Sequence, residues 1–193
     1  EESFKGKSGD LGVNLRVAEG PQWFVNKVEW EGASVEDREY FETVLSSLEG
    51  QPYSEANLAN DRDAILSYYV NLGYPDAAFE WAEEPTAGKP NQMNLKFIVR
   101  PGRRQFVRDV LVTGIRNTNP VIVNNRIRFS KGEPLAEASL SDTQRRLYEL
   151  GIFAKVQVAV QNPDGVEDSK YVLYQLDEAR RYSFNAGFGA EFG

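Results

Sequence analysis

Apolar and polar residues alternate from Phe24 through Val28 to Trp30, and the alternation returns at Phe106, Val110 and Val112. A period of two marks a half-buried strand. Gly32 and Gly114 follow these strands and supply turn chemistry. A first helix comes next in each case. Ser34 with Asp37 has the form of a capping box, and Asn119-Pro120 offers an N-cap followed by proline at the first helical position. Gly50-Gln51-Pro52 and Gly132-Glu133-Pro134 stop these helices. Second helices carry apolar stripes of Leu58, Ile65, Tyr69 and Leu72, and of Leu140, Leu147 and Leu150. Gly73 and Gly151 sit where a left-handed C-cap belongs. Two strands close each unit, Ala77–Ala82 with Met93–Arg100, and Ala154–Val160 with Tyr171–Asp177. Pro85-Thr86-Ala87-Gly88-Lys89-Pro90 and Asn162-Pro163-Asp164-Gly165 read as the turns between them.

The order β-α-α-β-β therefore occurs twice, as an internal repeat. Phe24-Val25, Val28 and Gly32 match Phe106-Val107, Val110 and Gly114 at a shift of 82 residues. Leu72-Gly73-Tyr74 matches Leu150-Gly151-Ile152 at a shift of 78, so the second helix should be about one turn longer in the first unit. The expected fold class is α+β: two tandem modules, each a three-stranded mixed sheet packed under two helices. The strand after the second helix differs in phase, with Ala77, Phe79 and Trp81 set against Val156, Val158 and Val160; a bulge or a shifted alignment is needed there. Asn14-Leu15-Arg16-Val17 aligns with Asn94-Leu95-Lys96-Phe97, the last strand of a unit. The expected organisation is the last strand of a preceding module plus a leader over residues 1–20, modules at 21–101 and 102–179, and a separate strand from 180 to 193.

That final strand alternates Tyr182, Phe184, Ala186, Phe188, Ala190 and Phe192 with small or polar residues. One apolar face against one small or polar face is the pattern of a transmembrane β-strand. A soluble strand paired to its own sheet gives the same alternation. Gly187-Phe188-Gly189 lacks the strand-then-helix context of a dinucleotide site.

Composition removes most chemistry. The chain of 193 residues has no Cys and no His, which excludes Ser-His-Asp and Cys-His nucleophile systems, histidine-ligated zinc and CxxC redox sites. No enzyme activity and no cofactor are expected. The net charge of −7 disfavours a nucleic-acid partner. The charge is uneven: residues 1–100 hold 9 Lys/Arg and 18 Asp/Glu, whereas residues 101–193 hold 13 and 11. The C-terminal half is the better suited to an anionic surface, although chance variation among solvated faces gives the same split.

Three groups of residues are candidates for chemistry or contact. Glu36, Asp37, Glu39 and Glu42 lie on one helix, read as a solvated face rather than a catalytic or metal site. Arg100, Arg103, Arg104 and Arg108 fall at the junction of the modules. They fit inter-module pairing, a grip on lipid phosphate or a partner, or a solvated charge run. Trp30 shares the core phase of Val28, while Trp23 sits at a junction and is read as a hinge or partner contact.

The phrases Val17-Ala18-Glu19-Gly20-Pro21 before Phe24-Val25, and Val99-Arg100-Pro101-Gly102 before Phe106-Val107, resemble junctions between POTRA (polypeptide-transport-associated) modules. The Leu-Gly-Tyr and Leu-Gly-Ile turns resemble the family too, and Tyr182 to Gly189 is similar to the first barrel strand of BamA-type barrel-assembly proteins. The resemblance implies a periplasmic arm at the outer membrane, joined to a downstream barrel. Its partners would be unfolded outer-membrane proteins and accessory assembly lipoproteins or periplasmic chaperones. Clients would add a strand at the second strand of each module, at Phe79, Glu80 and Trp81 and at Val156, Gln157 and Val158; ordinary edge residues without a client are the competing reading. Arg180, Arg181 and Tyr182 would then lie at the membrane interface. The POTRA arm of a related secretion or lipid-transfer pore, or a POTRA-containing cell-division protein, would use the same modules.

Overall fold

A computed structural model describes residues 20–179. The expected strand of a preceding module within residues 1–19, and the barrel strand with Arg180, Arg181 and Tyr182, lie outside the described residues. The first module runs β1 (Phe24–Glu31), α1 (Val35–Val44), α2 (Glu55–Asn71), β2 (Ala78–Pro85) and β3 (Gln92–Arg100). The second runs β4 (Phe106–Thr113), α3 (Pro120–Asn124), α4 (Glu137–Tyr148), β5 (Phe153–Val160) and β6 (Ser169–Glu178).

The last strand of each module is central, giving the orders β1-β3-β2 and β4-β6-β5. The connection between β2 and β3 is a hairpin, so they pair antiparallel. The helical crossover brings β1 alongside β3 in parallel, and β4 alongside β6 likewise. Each sheet is therefore mixed, with one face under its helices. Leu95, Phe97 and Val99 of β3 meet Phe41, Leu58, Ile65 and Tyr69 in the first core. Val172, Tyr174 and Leu176 of β6 meet Val123, Leu147 and Val156 in the second. Trp30 is a packing residue: its ring stacks on Phe41 with centroids 5.3 Å apart and meets Phe97 edge-on at 4.9 Å.

The helix starts follow the sequence signals. Ser34 accepts the Asp37 N–H at 3.1 Å while the Asp37 carboxylate accepts the Ser34 N–H at 3.3 Å, completing the capping box. Asn119 caps α3 through the N–H of Val121 at 3.0 Å. The second helix has 17 residues in the first module and 12 in the second.

Two departures from the pattern have structural causes. Phe153 pairs with Glu178 and Lys155 with Asp177, so Ala154 is the extra residue of a β-bulge, and the register then resumes at Val156 opposite Leu176. The phase conflict resolves as a shifted alignment, because Val156 and Phe79 hold equivalent places opposite Leu176 and Val99 at a shift of 77, and the bulge lets Phe153 and Val156 both be buried. The second departure is a correction: β2 continues through Ala82 to Pro85, where the sequence suggested a turn. Thr86 N–H bonds back to Gln92 O at 2.8 Å, so residue 86 faces β3 and residue 85 faces outward. An outward position needs no ladder donor, and proline is tolerated there.

Candidate functional site

β2 and β5 are edge strands, each paired on one side only among the described residues. In an antiparallel ladder, residues bonded to the partner alternate with residues whose N–H and C=O point away. The Thr86–Gln92 bond sets this parity for β2, turning the backbone of Phe79, Trp81 and Glu83 outward. Gln161 N–H bonds to Tyr171 O at 2.9 Å and sets it for β5, turning Val156, Val158 and Val160 outward. Four of the six residues singled out on these strands, Phe79, Trp81, Val156 and Val158, thus turn their backbone groups outward while their side chains pack toward the cores. Glu80 and Gln157 bond inward and are exposed on the far face of the sheet. Glu80 there holds Arg100 at 2.8 Å.

The edges of β1 and β4 are less available at their N-terminal ends. Gln51 O accepts the Val25 N–H, and Gly50 N–H donates back to Val25 O. Glu133 and Gly132 do the same for Val107. The helix connection therefore covers the N-terminal end of one edge of each sheet.

Beside β5 runs a groove lined by Ser141, Gln144, Arg145 and Tyr148 of α4 and by Ala154, Lys155 and Val156. The Gln144 side-chain amide donates to the outward Val156 carbonyl at 2.8 Å. Counting from the shared Leu-Gly turn, the matching residue of α2 is Leu66, which has no such donor. The β5 edge thus carries a side-chain cap that the β2 edge lacks.

The four junction arginines separate. Arg100 pairs within the first module, and Arg103 and Arg108 pair with Asp168 and Glu167 within the second. Arg104 crosses between modules: its Nε donates to Leu72 O at 2.9 Å, and its guanidinium lies over the rings of Tyr74 and Phe106 at 5.5 and 5.3 Å. Gln105 N–H donates to Gly73 O at 2.6 Å across the same seam. Trp23 is half-buried, and its carbonyl accepts the Tyr53 N–H at 2.8 Å inside the first module. The crossing contacts were not legible beforehand, because a run of arginines does not specify which one meets a helix C-terminus.

Of the acidic cluster, Asp37 alone is built into the module. Beyond its cap, its carboxylate accepts the Tyr68 and Tyr69 hydroxyls, each at 2.8 Å. Burial pushes this carboxyl up, but the hydrogen bonds from Tyr69, Tyr68 and Ser34 outweigh it and hold the group below the usual range. Burial and the bond to Asp37 push the Tyr68 hydroxyl up to about 12. Glu36, Glu39 and Glu42 are exposed.

Residues 24–102 match the family model described as POTRA, surface antigen variable number repeat. The chain is 24% identical over 181 residues to the outer membrane protein assembly factor BamA of Nitratidesulfovibrio vulgaris, covering 92% of this chain and 23% of that protein. The fold resembles that of Haemophilus ducreyi BamA lacking POTRA domains 1–3, with a TM-score of 0.65 and 18% identity over 82% of this chain and 30% of the other. It also resembles POTRA1-2 of the periplasmic domain of Omp85 from Anabaena, with a TM-score of 0.51 and 18% identity over 84% of this chain and 99% of the other. The chain spans less than a quarter of the curated BamA relative's length. With the repeat, the two mixed sheets and these matches together, the first module matches the POTRA family model and the chain as a whole is similar to tandem POTRA modules of BamA-type proteins.

Proposed function

We propose that these modules form the periplasmic arm of an outer-membrane protein assembly factor and receive unfolded barrel clients by strand addition. One observation carries this reading: the outward backbone groups of β2, and those of β5 apart from the Val156 carbonyl, are regularly spaced and open at the sheet edge. Main-chain hydrogen bonds are nearly indifferent to client sequence, which suits a protein that meets many extended segments weakly. The groove beside β5 adds a place for alternate client side chains.

An NMR titration with a peptide from an outer-membrane barrel strand tests it. Strand addition predicts an alternating signature, in which the outward amides of Phe79, Trp81 and Glu83, or of Val156, Val158 and Val160, shift more than the inward neighbours. Saturating peptide that moves neither edge strand would sink the proposal.

Accessory-factor docking is supported by a different surface. On the sheet face away from the helices, Leu111, Leu173 and Ala159 form one row across the second module. The matching row of the first module is Glu29, Lys96 and Ala82. Leu111 is 38% exposed. Replacing a charged row by an apolar one, in the same fold and chain, favours a covering protein over bare solvent. The variant Leu111→Lys with Leu173→Lys should abolish pull-down of accessory lipoproteins by the full-length protein without altering peptide shifts at β2 and β5. Retained pull-down would remove this surface from consideration.

A further inference from the structure

The first helices of the two modules occupy matching parts of the repeat but carry opposite charge. Residues 32–50 hold Glu36, Asp37, Glu39, Glu42 and Glu49 against Arg38. Residues 114–132 hold Arg116, Arg126, Arg128 and Lys131 and no Asp or Glu. The comparison is internal, so the shared fold cannot account for the inversion, and the chain's net charge of −7 runs against it. All four cations are exposed, and none enters an ion pair among the described residues. Among the described residues, two carboxylates touch this stretch through hydrogen bonds rather than ion pairs: Glu133, which accepts the Ser130 N–H at 2.9 Å, and Glu178. Glu178 is engaged by the backbone N–H groups of Asn117, Thr118 and Arg116 and by the Asn117 side chain, which hold it ionised well below the usual range.

The same stretch exposes adjacent aliphatic side chains. Val121 is 59% and Ile122 44% exposed, while Val123 between them and the sheet is fully buried. Ile122 and Ile152 line one shallow depression together with Ala179. From Ala179 the sequence continues with Arg180 and Arg181. Exposed aliphatics in the same stretch as exposed, unpaired cations match an interfacial surface, where apolar side chains enter the headgroup boundary and cations meet phosphate.

We propose that the α3 segment of the second module docks on an anionic phospholipid bilayer, seating Val121 and Ile122 in the interface with Arg116, Arg126, Arg128 and Lys131 on the lipid phosphates. Neither contribution suffices alone: two aliphatic side chains partition weakly, and a few cations are screened by salt. Together they set an orientation, because the acidic α1 segment of the first module is repelled by the surface that attracts α3. This inference goes beyond client handling and does not depend on it.

Co-sedimentation of the 193-residue chain with lipid vesicles tests the proposal. Vesicles of phosphatidylethanolamine and phosphatidylglycerol at about 3 to 1 supply the anionic surface, and phosphatidylcholine vesicles the neutral one. The chain should bind the anionic vesicles, release with salt, and ignore the neutral ones. Arg126→Glu with Arg128→Glu, and separately Val121→Ser with Ile122→Ser, should each weaken binding by about tenfold or more while retaining NMR dispersion. All four positions are exposed, so folding is not at stake. Retained binding by either variant overturns the proposal: the first outcome places the contact elsewhere on the chain, and the second reduces it to a site for soluble anions or acidic protein. Absence of binding to anionic vesicles overturns it outright.

Discussion

The side-chain oxygen of Asn71, the last residue of α2, accepts the backbone N–H of Ala138 in the first turn of α4 at 2.9 Å. The residue at the N-cap of α4 is Ala136, which has no side chain able to cap. The cap of the second module's long helix is therefore supplied by the first module. Arg104 on Leu72 O and Gln105 on Gly73 O complete the seam from the other side. Two carbonyls just past the end of α2 and one first-turn amide of α4 are satisfied across one junction.

Asn71→Ala should therefore loosen the junction as well as destabilise the second module. Loss of the cap costs about 1 kcal/mol, partly offset by the better helix propensity of alanine. Adding Ala136→Ser to the same chain restores a local cap. Urea unfolding should then recover, while residual dipolar couplings still report a changed angle between modules. Recovery of both would mean that the seam is held by Arg104 and Gln105 alone.

Gly73 and Gly151 are equivalent C-cap residues, both in the left-handed region, with φ of 91° and 67°. They differ in surroundings. A Cβ on Gly73 would meet Gln105 O at 2.6 Å and the Pro134 Cβ at 3.1 Å, whereas one on Gly151 would meet nothing within 4 Å. Gly151→Ala should cost only the conformational term of about 1–2 kcal/mol. Gly73→Ala should cost more and should also displace the junction amides of Gln105 and Leu135 in an NMR spectrum. Equal costs would show that the seam yields freely.

The contrast between these glycines also shows what was legible in advance. Periodicity and cap chemistry are local, so the strands, the Ser34–Asp37 box and the Asn119 cap could be read from adjacent residues. The phase conflict between Phe79 and Val156 was visible, but its resolution, a shift of one residue in alignment, depends on the register with the partner strand. Asn71, Arg104 and Gln144 gain their roles from carbonyls and amides distant in sequence, and no spacing rule marks them. Ladder parity was hidden for the same reason: it separates Phe79 and Trp81 from Glu80 only once Thr86 is seen bonded to Gln92.

Asp37 ties α1 to α2 through Tyr68 and Tyr69, and this should make the first module acid-sensitive. Its folded-state pKa is depressed, so its contribution is fully present above the unfolded value of about 4 and is lost as pH falls through the folded value. Asp37→Asn removes the charge while keeping the shape. The variant should lose about 1–2 kcal/mol at neutral pH and show a flatter dependence of stability on pH below about 4. Urea midpoints measured across that range check both statements. An unchanged slope would assign the acid sensitivity to other carboxylates.

Gln144 occupies the Val156 carbonyl that an added strand would need, so the β5 edge is partly self-satisfied and the β2 edge is not. Gln144→Leu keeps the bulk of the side chain and releases the carbonyl. One freed hydrogen-bond acceptor is worth about 1 kcal/mol, or roughly fivefold in affinity for an extended peptide. In the peptide titration, the outward amides of β5 should saturate at lower concentration in the variant, while those of β2 serve as an unchanged internal standard. A weaker response at β5 would reverse the assignment. Gln144 would then be a ligand of the incoming strand, turning its amide from Val156 to the peptide, and the groove lined by Ser141, Arg145 and Tyr148 would be read as the primary contact.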